Sequence, residues 1–125
     1  MKVEISNGEL LDKFSILKIK IKKIKDNSKL INIQNEINEL SNLCDVLLKI
    51  NGVVELFENL ISTNSKLWEI EDLIRSKESL KEFDESFIEL ARSVYITNDV
   101  RFHIKNEINK LTNSKLVEEK SYESY

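Results

Sequence analysis

At 125 residues, with 41% hydrophobic and 33% charged side chains, the chain has material for one folded domain and is too apolar to be read as disordered. A net charge of -3 and an acidic isoelectric point argue against a dedicated nucleic-acid binder. The absence of proline argues against many short strands, the lone Cys44 excludes an internal disulfide framework, and no apolar run nears the roughly 18 residues that span a bilayer. The opening Met1-Lys2-Val3-Glu4-Ile5 also lacks the apolar stretch of a secretory signal. The expectation is a soluble, cytoplasmic, all-α domain spanning residues 1–125.

Val3 and Ile5 alternate with polar residues and predict a short extended N-terminal arm. Ser6 and Glu9 have the spacing of a capping box, so a first helix is expected to begin there and run to about Lys25. Its apolar face reads Leu10, Phe14, Leu17, Ile21 and Ile24. After the turn Asp26-Asn27-Ser28, a second helix is expected over Lys29 to Ile50, with the heptad stripe Ile33, Ile37, Leu40, Cys44 and Leu47. Asn51-Gly52 suits a left-handed stop. The third helix should run from Val53 to about Glu82, with Ser62-Thr63-Asn64 as a place to bend. Asp84 restarts the chain as an N-cap, and Phe83 can staple onto Ile88. The fourth helix then reaches Leu111, loosening near Thr97-Asn98-Asp99, and the charged tail Lys115–Tyr125 is expected to be mobile.

The last two helices would each be about 42 Å long at 1.5 Å per residue. An antiparallel helical bundle built on this long hairpin, with coiled-coil-like spacing, leaves apolar surface for a partner, and a homodimer is expected. Charge is divided along the chain. Six lysines lie between Glu9 and Lys25, and eight acidic residues lie between Glu69 and Glu89. Such blocks mark helices or subunits that face each other, or solvated faces.

One stripe breaks the folding pattern. On the fourth helix, Phe87, Ala91, Val94, Asn98, Arg101, Lys105 and Ile108 share one face, and its middle is an amide and two cations. Burying these is costly unless they are paired. Counterparts stand on the other helices: Asn64 and Glu71 on the inner stripe of the third, with Asp72 and Arg75 beside it, and Glu9, Lys13 and Lys20 bordering the apolar face of the first. Antiparallel packing could bring Glu9 or Glu71 to Arg101 and Lys105. The set Glu9, Lys13, Lys20, Glu71, Arg75, Asn98, Arg101 and Lys105 therefore reads as an ion network that fixes helix register, as a pocket for a small anionic ligand, or as a partner-facing groove.

Other candidates point to structure. Trp68 is expected to anchor packing or an interface, His103 to be a surface residue without metal-ligand companions, and Cys44 to be a buried thiol. No phosphate loop, nucleophile elbow or histidine triad is present, so no cofactor and no metal are assigned. Glu36-x-x-Glu39 and Glu69-x-x-Asp72 are similar, in spacing only, to the paired carboxylates that hold magnesium in all-helical nucleotide pyrophosphohydrolases.

Several stretches together resemble a family of short bacterial proteins known as a domain of unknown function. They are Asn7-Gly8-Glu9-Leu10 with Asp12-Lys13, Leu67-Trp68 with Ile70-Glu71-Asp72 and Arg75, Leu90-Ala91-Arg92-Ser93-Val94-Tyr95 with Asn98-Asp99, Arg101 and Lys105, and Glu118-Glu119-Lys120-Ser121-Tyr122. The resemblance covers nearly the whole chain, is weakest from Asp26 to Asn59, and implies no activity. The leading functional expectation is a non-catalytic accessory or interaction module with a protein partner. A binder of a small anionic metabolite, a phosphorylated sugar or nucleotide, comes second and the magnesium-dependent hydrolase third. No nucleic acid and no membrane are expected as partners.

Overall fold

Three of the four helices begin where a side chain just ahead of them takes up their first free amides. The computed structural model describes residues Met1–Tyr125 and contains four α-helices and no strand: α1 (Asn7–Lys23), α2 (Asn27–Leu48), α3 (Val53–Ser79) and α4 (Glu85–Leu111). Ser6 Oγ accepts from the Glu9 amide, Asp26 Oδ1 from Ser28 and Lys29, and Asp84 Oδ1 from Phe87. Only α3 starts without a side-chain cap; Gly52, at φ +89°, turns the chain into it through a conformation costly for other residues.

Three local expectations change. Glu9 does not close the capping box back onto Ser6; its carboxylate is drawn away to Lys105. Phe83 packs edge-on against Phe87, ring centroids 5.2 Å apart, rather than onto Ile88, which is exposed. Both α3 and α4 run unbroken through the stretches where bending or loosening was expected. Tertiary contacts explain this, because Asn64 and Thr97 are buried and held in place.

The helices α3 and α4 pair as an antiparallel hairpin. α1 packs on one side of it, touching both, and runs antiparallel to α4: Gly8 lies at Asn109 and Asp12 at Arg101. α2 covers α1, makes a small contact with α3 and none with α4. α1 is thus packed by all three other helices. Leu11, Phe14, Leu17 and Ile19 are buried, and so are Asp12 and Ser15, which lie off the apolar stripe. The main core joins Leu11 and Phe14 to Cys44, Val53, Phe57, Leu60 and Ile108, with Phe14 and Phe57 stacked at 6.0 Å. The heptad stripe of α2 reaches this core through Cys44, with Ile37, Leu40 and Leu47 packed around it.

The start of α1 is docked on the end of α4. The Asn7 amide donates to Ser114 Oγ at 3.0 Å and the Gly8 amide to Asn109 Oδ1 at 2.7 Å. Together with Ser6 on Glu9, distant side chains complete what a local cap leaves undone. This approach requires glycine: a Cβ at Gly8 would lie 2.4 Å from the Lys105 carbonyl oxygen. Gly8→Ala should therefore push α1 off α4 and lower unfolding free energy by about 2 kcal/mol, measured by urea denaturation. The Cys44 thiol is pushed up to about 11, chiefly by burial and then by Asp45. A thiol reagent at neutral pH should label Cys44 only as fast as the fold opens, and full labelling of the native protein would contradict its placement.

Candidate functional site

Asp12 stands in the second turn of α1 with its side chain 2% exposed. No water can solvate a carboxylate there, so its partners must come from the fold. Arg101 of α4 supplies two: Nε donates to Oδ1 at 2.9 Å, and Nη2 donates to Oδ2. The pairing uses the forked geometry that distinguishes arginine from lysine. Asn64 of α3 donates from Nδ2 to Asp12 Oδ1 at 2.9 Å and to Ser15 Oγ at 2.8 Å, while Ser15 Oγ donates to the Asp12 carbonyl at 2.6 Å. One carboxylate thereby ties α1, α3 and α4 together. Hydrogen bonding to Asp12 holds the Arg101 guanidinium above its ordinary range despite burial.

One turn further along α4, buried Lys105 places Nζ 2.7 Å from both Glu9 of α1 and Glu118 of the tail. Burial pushes the ammonium down, but its hydrogen bonds to Glu118 and Glu9 outweigh this, and its pKa lies above the usual 10.5. The tail itself lies back along α4. Lys120 stands over the Phe102 ring, and Tyr125 donates to Asp99 while packing edge-on against Tyr95.

The structure divides the residues singled out from sequence. Glu9, Arg101 and Lys105 meet in this charged centre, and Asn98 accepts a long bond from Arg101 Nη1 at 3.5 Å. Glu71 does not reach Arg101 or Lys105; it pairs with Arg75 on the exposed side of α3 at 3.1 Å. Lys13 bonds Glu36 of α2 at the surface, and Lys20 lines a shallow cleft beside Arg101 with no ion-pair partner. Asp12, Ser15 and Asn64 carry the centre, and periodicity marks neither Asp12 nor Ser15 because both lie off the apolar stripe of α1. The signal available was Asn64 on the inner stripe of α3, a buried amide that must answer to something. The carboxylate arrangement required by the hydrolase expectation does not form. No group of three or more histidine, cysteine, aspartate or glutamate side chains gathers at metal-binding distance, and Glu36 is turned to Lys13.

Beside the centre, α1, α3 and α4 leave an open groove of about 440 Å³. Its apolar floor is Ile16, Ile19, Leu67 and half-buried Trp68, and Glu71, Asp72, Arg75, Asn64, Asn98 and Arg101 surround it. Both cations are engaged, Arg101 with Asp12 and Arg75 with Glu71, whereas Asp72 has no ion-pair partner.

Two measurements test the centre. Asp12→Asn should cost about 3 kcal/mol, because it strands a half-buried guanidinium, and Asp12→Leu combined with Arg101→Met should cost less than Asp12→Leu alone. A lysine whose pKa is raised by folding stabilises the fold fully below the unfolded value of about 10.4. That contribution is lost as pH rises through the higher folded value. The stability difference between wild type and Lys105→Met should therefore be constant from neutral pH to about pH 10 and shrink above it, as read by denaturation at each pH.

No helix is long and apolar enough to cross a membrane. No curated protein and no solved structure matches the chain. A family model described as "Family of unknown function (DUF6165)" matches residues 1–125, and the chain belongs to that family.

Proposed function

We propose that the chain is a non-catalytic helical interaction module, acting in the cytoplasm, whose partner-binding face is the Trp68 groove. The observation that carries this reading is the charge state of the groove. Its two cations are already bonded to carboxylates of the chain, and the charge left without an ion-pair partner is the negative one of Asp72. An anionic metabolite would have to displace Asp12 from Arg101 or Glu71 from Arg75 while approaching Asp72. A protein segment that covers Trp68 with an apolar side chain and offers a basic group to Asp72 fits without disturbing the centre. Half-buried tryptophan set among polar residues is the usual anchor of such contacts.

The test compares wild type with Trp68→Ala and Asp72→Lys, two changes outside the charged centre. Each should retain helicity and melting temperature while losing the proteins that wild type captures from native lysate. Inorganic pyrophosphate and nucleoside triphosphates should leave the melting temperature unchanged. A ligand present at a hundredfold its Kd would add about 2.7 kcal/mol, so an upward shift with those anions would overturn the reading in favour of a metabolite binder.

A further inference from the structure

Beyond Ser114 the chain turns back along α4 and is held to it by side chains alone. Residues 115–125 make no backbone-to-backbone hydrogen bond. Their anchors fall in one row along the helix, Tyr95, Asp99, Phe102 and Lys105, in steps of four, three and three residues. Glu118 reaches Lys105 at 2.7 Å, and Lys120 stands 5.1 Å from the centre of the Phe102 ring. Tyr125 donates to Asp99 Oδ2 at 2.5 Å and meets the Tyr95 ring at 5.2 Å. Between these anchors the fit is loose, and Val94, Tyr95, Asn98, Asp99, Lys120 and Tyr122 enclose a hollow of about 380 Å³. A segment without backbone bonds, over such a hollow, opens at far lower cost than the core does.

Charge keeps that opening cheap. In the docked tail two cations, Lys105 and Lys120, stand among two carboxylates, Glu9 and Glu118. Lifting the tail removes one of each, and buried Lys105 keeps Glu9 at 2.7 Å. The contrast is with Asp12, where loss of Arg101 would strand a buried charge. The base of the tail stays in place, because Ser114 Oγ accepts from the Asn7 amide and donates to the Leu116 carbonyl.

We infer that residues 115–125 form a reversible strap, an internal ligand of a docking row on α4, and that a segment of another protein takes the row when the strap lifts. The seated strap shows the chemistry of that segment: a carboxylate for Lys105, a basic side chain over Phe102 and a phenol hydroxyl for Asp99 beside Tyr95. The strap is therefore autoinhibitory. A strap closed about nine-tenths of the time, at the roughly millimolar effective concentration a short tether gives, corresponds to a Kd of about 0.1 mM for the same segment free in solution.

The probe is a synthetic peptide of residues 115–125, titrated by nuclear magnetic resonance into two full-length proteins. Glu118→Gln combined with Tyr125→Phe weakens the internal strap and leaves the row intact, since neither residue belongs to α4. This variant should bind the peptide with a Kd of about 0.1 mM, shifting the amides of Tyr95, Asp99 and Phe102, and wild type should bind it about tenfold more weakly. Trypsin, which follows the population of the open tail, should cut after Lys120 about tenfold faster in the variant. Tyr125→Phe alone, at a position 77% exposed where folding is not at stake, should also be cut faster than wild type. Peptide that binds both proteins equally, or neither, overturns the inference, and so do equal cleavage rates. Neither readout involves Trp68, so the strap and the groove reading stand or fall separately.

Discussion

A carboxylate that water cannot reach governs how these helices are arranged. Asp12 is buried in the first half of the helix that the other three surround, and its charge is tolerable only if Arg101 approaches from α4 and Asn64 from α3 together. Sliding α4 by one turn would move Arg101 about 5 Å away and leave both charges without partners. The apolar contacts of the core tolerate alternative registers far better than this pair does, because hydrophobic burial is not directional. The pair therefore does less to stabilise the bundle than to select one alignment of it.

The other polar contacts follow from that alignment. With Arg101 set on Asp12, Lys105 falls one turn nearer the start of α1, where Glu9 waits, and Asn109 falls against the amide of Gly8. Glycine at position 8 lets the two backbones close far enough for these bonds to form. Glu118 of the tail then completes the shell around Lys105 from the far side. A single row on α4, Arg101, Lys105 and Asn109, thus reads the length of the first half of α1. With Arg101 and Lys105 both bonded to carboxylates of the chain, the centre offers little to a soluble anion, and the proposed contact falls on the Trp68 groove instead.

The break in the apolar stripe of α4 was visible in the sequence, and so was the fact that Arg101 and Lys105 needed partners. One partner, Glu9, could be named because it borders an apolar face. Asp12 could not, because it lies off the apolar stripe of α1, where periodicity predicts a solvated side chain. α1 is covered by α2 on one side and by the hairpin on the other, so the contrast between its faces, on which periodicity depends, is weak. The assignment of Glu71 to the centre failed for the opposite reason. It occupies an inward heptad position, but at that height α3 has passed into the open groove, where Arg75 one turn on is the nearer cation.

The sequence by itself determined the four helices, the N-caps at Ser6 and Asp84, the stop at Asn51-Gly52, and the polar interruption on the last helix. These depend on hydrogen bonds and side-chain spacing within a few residues, and such information is local. Only the tertiary structure decided that Asp12 takes Arg101, that Asn64 holds α3 to α1, and that Glu118 returns to Lys105. Those choices join residues 13 to 89 positions apart. They are set by which carboxylates the packing deprives of water, a property that belongs to the assembled bundle and to none of its helices alone.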